Sequence, residues 1–139
     1  MPSNDFNPDI KKAVYPPPRR VAILGASDQA GRPSNDVAGA LLHWGYDVIP
    51  INPNCALVHG LKAWSSLSEV DGPLDIVDVF QRSEHVQDHL EDILAAAPGV
   101  LWMQDGVAHA RVAEAAMAAG IMVVQNDCIA RRIAQWRSS

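Results

Sequence analysis

The sequence predicts an α/β protein, a three-layer, doubly wound parallel sheet of five strands in the order 3-2-1-4-5. Three observations predict it. Short β-branched apolar runs alternate along the chain with stretches whose apolar residues recur every 3.6 positions. Runs such as Val21 to Leu24 are apolar at successive positions, as inner parallel strands are. Gly45, Pro98-Gly99 and Gly120 fall where each helical stretch would hand over to the next strand. Alternation at this spacing requires crossover connections, which put helices on both faces of one sheet.

The chain opens with an arm, Met1 to Arg20, in front of a single domain over residues 21–139. Pro2, Pro8 and Pro16-Pro17-Pro18 favour extended backbone, and Asn7-Pro8-Asp9 caps one short helical turn through Val14. Strand one is Val21 to Ala26. Ser34 caps a helix with Val37, Ala38, Leu41 and Leu42 on one face, and Gly45 stops it. Strand two, Asp47 to Asn52, leads into a loop-rich stretch, residues 53–74, with a short helical turn at Ser66 to Val70. Strand three is Leu74 to Phe80, followed by a helix from Ser83 carrying Val86, Leu90, Ile93, Leu94 and Ala97. Strand four (Val100 to Met103), a helix from Val107 to Ala119, strand five (Ile121 to Val124) and a helix from Ile129 to Trp136 complete the alternation.

At 139 residues, with 48% hydrophobic and 19% charged, the chain is one globular domain with one core. A net charge of -5 argues against a general nucleic-acid binder, which needs clustered Lys and Arg. No apolar stretch reaches the ~20 residues that span a bilayer. Met1 to Lys12 is polar and lacks a signal-peptide core, so no membrane association and a cytoplasmic location are expected. Cys55 and Cys128 are too few for a disulfide framework and read as reduced thiols.

In the order 3-2-1-4-5 the chain reverses direction between strands one and four, so their turns would form the ligand crevice. The first turn is "GASDQAGRPSND". Gly25 allows close backbone approach, Ser27 offers a hydroxyl, and the helix near Ser34 presents unpaired N–H groups and the positive end of its dipole. Arg32 would add a charge-assisted contact, so the turn reads as a phosphate site, against the alternative of a tight strand-to-helix turn with Arg32 in solvent. No Gly-Lys-Ser/Thr follows, which argues against a P-loop hydrolase. The three-glycine dinucleotide fingerprint is absent, and Asn52-Pro53 stands where an NAD fold places an acid.

Other conspicuous residues carry less. His85 and His89 lie four apart, but without a third ligand they read as a solvated face and no metal is expected. Trp102 either stacks on a base or fills the core, while Trp44, Trp64 and Trp136 serve packing or an interface. No nucleophile elbow, Cys-His pair or carboxylate pair is evident, so no catalysis is expected.

In order and spacing, "VAILGAS", "RPSND", "GYDVIPINP", "DIVDVFQRSE", "VLWMQDGV" and "AGIMVVQNDC" resemble the stand-alone CoA-binding protein family over about residues 15–136. The resemblance implies a Rossmann-like fold, similar to the nucleotide-binding domain of the succinyl-CoA synthetase alpha subunit, and coenzyme A as cofactor. It implies that Gly25, Ala26, Ser27 and the stretch Arg32 to Ser34 meet the phosphates, and that Asn52 and Pro53 lie beside the nucleotide. Val79, Phe80 and Arg82 would bound the adenine and ribose pocket, and Gln104 and Gly106 would line the way to the pantetheine arm. Gln81 departs from the Arg-Arg pair that many relatives carry, which would weaken 3′-phosphate binding or redirect the site to another adenine nucleotide. Cys128, at the start of the last helix, could meet the CoA thiol in a mixed disulfide. Two alternatives stay open: an NAD(P)-dependent small enzyme, or a detached subunit of an acyl-CoA ligase. A homo-oligomer or a partner enzyme is left open as well.

Overall fold

Residues 6–139 are described by the computed structural model. The first five residues of the arm, Pro2 among them, lie outside the described residues. Along the chain run α1 (Pro8–Val14), β1 (Arg20–Leu24), α2 (Pro33–His43), β2 (Asp47–Ile51), β3 (Leu57–Val58), β4 (Leu61–Lys62) and β5 (Ile76–Val79). They are followed by α3 (Leu90–Ala96), β6 (Val100–Met103), α4 (Ala110–Ala118), β7 (Met122–Val124) and α5 (Ile129–Arg137). Short 3₁₀ segments at Leu67–Glu69 and Ser83–His89 flank β5.

Five strands form one parallel sheet with helices on both faces, as the alternation predicts. Their order is a correction. The sheet runs β2-β1-β5-β6-β7, so the third long strand sits between the first and fourth, not outside the second. Pro50 gives the reason. It lies inside β2 and has no N–H, so β2 cannot serve two ladders and belongs at an edge. On the outer side Pro50 only accepts, from the Trp64 N–H at 2.9 Å, beside a single bridge between Ile51 and Trp64. β5, buried at every position, takes a central place.

The period-2 alternation of the strands sorts the core into two layers. Val21, Ile23, Ile76, Val100 and Trp102 pack with α1, α2 and α5. Ala22, Leu24, Val77, Val79, Leu101 and Met103 pack with α3 and α4 on the other face. Burying each large side chain fully, as for Ile23, Ile76 and Leu101, contributes about 1.5–3 kcal/mol.

Local chemistry explains the element ends. Asn7 caps α1 by accepting from the Asp9 N–H at 2.8 Å, with Pro8 at the first helical position. Ile10 and Val14 of α1 are buried, and the Tyr46 hydroxyl donates to the Val14 carbonyl at 2.8 Å. Burial of that phenol pushes its pKa up. Phe6 stacks on Trp102 with ring centroids 5.7 Å apart. Residues 57–62, expected as loop, form the β3-β4 hairpin. His59 (φ 51) and Gly60 (φ 76) supply the two positive φ angles of its tight turn. The helix expected from Ser83 begins as 3₁₀ and becomes α only at Leu90.

Candidate functional site

Because β1 leads outward to β2 while β5 lies on its other side, the connections after β1 and β5 diverge, and the switch point lies between them. The crevice is therefore framed by the turns after the first and third long strands, with the turn after β6 at its rim, rather than by those after the first and fourth alone.

The turn after β1 is braced from within. The Gly25 and Ala26 N–H groups both donate to the Ile51 carbonyl, at 3.0 and 3.2 Å. Asn52 Nδ2 donates to the Ala26 carbonyl at 2.6 Å, while its Oδ1 accepts from the Asn54 N–H at 2.8 Å. The Ser27 N–H donates to Ser34 Oγ at 2.9 Å, and the Ser27 carbonyl accepts from Asn35 Nδ2 at 2.9 Å. The amides of Gly25, Ala26 and Ser27 are thus already used. Ser34 does not cap α2: Pro33 occupies the first helical position, Arg32 is the N-cap, and the Ser34 hydroxyl turns back to the loop. The Ser34 and Asn35 N–H groups make no hydrogen bond among the described residues, and no side chain caps this helix start. An anion placed there would meet open amides and the positive dipole end.

Two cavities adjoin the turn. The larger, about 680 Å³, is lined by Ser27, Arg32, Ser34, Arg82, Gln104, Asp105, Val107 and Cys128. The Arg32 and Arg82 guanidiniums have no hydrogen-bond or ion-pair partner among the described residues. Asp105 is different. Arg131 grips it with two hydrogen bonds, 2.9 and 3.0 Å, which hold its carboxyl below the usual carboxylate range. Gln104, only 4% exposed, accepts from the Ile129 N–H at 3.1 Å and so caps α5 at the crevice floor. The smaller cavity, about 450 Å³, is lined by Asn52, Pro53, Asn54, Ser65, Ser66, His89 and Asp92. Gly25, Phe80 and Gln81 line both and form the threshold between them.

The structure thus gathers Gly25, Ser27, Arg32, Ser34, Phe80, Arg82 and Gln104 at the crevice and Asn52 and Pro53 at its neighbour. Ala26 and Val79 are fully buried and line neither cavity. Gly106 lies off both, its N–H donated to Asn126 Oδ1 at 2.7 Å. Trp102 is a core residue, fully buried, with its indole N–H on the Asp127 carbonyl at 2.8 Å. His85 pairs with exposed Asp88 at 3.5 Å and lines neither of these two cavities. Sequence reasoning missed Asn35, which braces the turn, and it missed Ser65, Ser66, His89 and Asp92 as cavity residues. The shared location of those four depends on strand order, which no local spacing carries.

Residues 19–134 match the family model described as CoA binding domain. The chain belongs to this family. As a CoA-binding domain it is 37% identical over 118 residues to the uncharacterized protein YneT of Bacillus subtilis, covering 85% of this chain and 87% of YneT. A solved structure, cell-free ID.343 from Thermus thermophilus, superposes with a TM-score of 0.82 at 35% identity, over 85% of this chain and 90% of that one. The ADP-forming acetate–CoA ligase II of Archaeoglobus fulgidus is 30% identical over 71 residues, which is 50% of this chain and 10% of the ligase. Among the described residues of this CoA-binding domain no helix is long and apolar enough to cross a membrane.

Proposed function

We propose that this chain binds coenzyme A, or its acyl thioester, as a cytoplasmic binding module that performs no chemistry on it. One observation carries the reading: the Arg32 and Arg82 guanidiniums, without a partner among the described residues, line the same crevice as a helix start whose Ser34 and Asn35 amides are uncapped. A diphosphate supplies the charge and acceptors this corner lacks. The adenosine then occupies the smaller cavity beside Asn52, Pro53 and Phe80, and the pantetheine arm runs along the larger one toward Val107 and Cys128.

Thermal shift with CoA, NAD, NADP and ATP tests it. A ligand bound only to the folded state adds about 2.7 kcal/mol at ~100 times its dissociation constant, so CoA should raise the melting point most. Stabilisation by NAD alone overturns the reading in favour of a small NAD(P)-dependent enzyme. The match to part of the Archaeoglobus ligase supports a second reading, a subunit that acts with a partner carrying the chemistry. Under either reading the chain by itself yields no acetyl-CoA from acetate, ATP and CoA.

A further inference from the structure

The two joined cavities differ sharply in charge. Both partnerless arginines line the larger one. The smaller one has no lysine or arginine on its wall, and its titratable lining groups are Asp92 and His89. Lys62, three residues before Ser65, is held over the Trp64 ring at 3.8 Å. At the threshold, Gln81 places its neutral amide against Gly25, where a side-chain cation would face the smaller cavity.

We infer that this site takes nucleoside 5′-diphosphate esters whose ribose carries no 3′-phosphate as readily as CoA itself. The inference rests on the placement of adenosine in the smaller cavity proposed above. A phosphomonoester on that ribose enters a space with hydroxyls, side-chain amides and the His89 imidazole but no lysine or arginine, and with the Asp92 carboxylate on its wall. Like charges in a partly dry pocket repel, and the hydrogen bonds of Asn54, Ser65 and Ser66 offset only the lost hydration. The diphosphate, in contrast, is common to both ligands and meets Arg32, Arg82 and the α2 amides. Affinity therefore resides in the diphosphate and the neutral nucleoside, and the 3′-phosphate adds nothing to it.

Isothermal titration of the whole chain with CoA and with dephospho-CoA tests this. The expected result is dissociation constants within about threefold of each other, a difference well under the tenfold that 1.4 kcal/mol represents. CoA bound more than tenfold tighter than dephospho-CoA overturns the inference and leaves the CoA-binding reading standing. Failure of both ligands to bind overturns the CoA-binding reading, and this inference with it. Two variants locate the effect. Gln81→Arg should shift the preference toward CoA by about tenfold, and Asp92→Asn by roughly three- to fivefold, both read as the ratio of the two dissociation constants. Folded variants that both leave the ratio of the two constants unchanged show that the 3′-phosphate is not in this cavity, and overturn the inference.

Discussion

The α-carbon of Gly25 faces the carbonyl oxygen of Phe80 so closely that a Cβ would collide with it, at the point where β1 and β5 part. Gly25 also holds a φ of +92°, which side chains rarely adopt. The glycine is thus needed for the close passage of two strands at the switch point as much as for any ligand. Gly25→Ala combines left-handed strain with a backbone collision, and should cost at least about 2 kcal/mol. Chemical denaturation should show that loss, and melting should fall by roughly 6–10 °C. A loss under about 1 kcal/mol would mean that the Phe80 carbonyl can move aside.

Ser34 performs a similar service by hydrogen bonding. Its Oγ accepts the Ser27 N–H inside the first turn of α2. Ser34→Ala leaves that part-buried amide unpartnered, at about 1 kcal/mol of stability. The loosened turn should weaken CoA binding about fivefold, measured by titration against the unmodified chain. Unchanged affinity in a destabilised variant would separate the brace from the site.

The two crevice arginines make a salt-dependent prediction. Arg32→Ala and Arg82→Ala should each weaken CoA about tenfold at low salt, since each removes a charge-assisted contact to phosphate. Exposed charges are screened over ~10 Å at 0.1 M salt, so each loss should shrink as salt is raised. An equal loss at all salt concentrations would point instead to a distorted turn.

Much of this fold is legible in the sequence, and the reasons differ by element. The strands at 21–24, 47–51, 76–79 and 100–103 announce themselves because both faces are apolar. Their order does not, since nothing in an apolar run names its neighbour. Pro50 was the available signal: an imino acid inside β2 forbids the central position that the order 3-2-1-4-5 requires. The phosphate turn is likewise legible from Gly25, Arg32 and Pro33. Which of its backbone groups stay open is not, because the Ile51 carbonyl takes the Gly25 and Ala26 N–H groups and the Asn52 side chain takes the Ala26 carbonyl, from some 26 residues away in sequence. Asp92 and Ser66 join the site only through the fold.

Two aspartates near α5 should behave oppositely. Asp127 is largely buried and accepts from Arg132 Nε at 2.7 Å, Arg131 Nη2 at 2.8 Å and the Cys128 N–H at 2.9 Å. Asp127→Ala removes the carboxylate that accepts from Arg132 Nε, Arg131 and a helix-start amide together, and should cost about 3 kcal/mol. Asp105, whose side chain is 57% exposed, shares only Arg131 with it. Asp105→Ala should stay within about 0.5 kcal/mol of the unmodified chain by urea denaturation, as exposed pairs do. Comparable losses in both would place Asp105 in the buried network.

Asp78 offers the clearest dependence on pH. It lies in β5 between Ile23 and Trp102, is fully buried, and neither carboxyl oxygen has a hydrogen-bond partner among the described residues. Burial without a compensating charge raises its pKa well above the ordinary carboxylate value. The folded chain therefore keeps a proton that the unfolded chain releases once pH exceeds about 4. With fewer protons bound in the unfolded state, the free energy of unfolding falls as pH rises through this window, at up to about 1.4 kcal/mol per pH unit. The loss levels off only above the raised pKa of the folded state. Asp78→Asn carries a neutral group of similar shape and titrates in neither state. The variant should match the unmodified chain near pH 4 and become progressively more stable than it toward neutrality. Other acids contribute equally to both proteins, so the difference between their unfolding free energies at each pH isolates Asp78. A difference that stays flat from pH 4 to pH 7 would show that this carboxyl is ionised and partnered in the folded state.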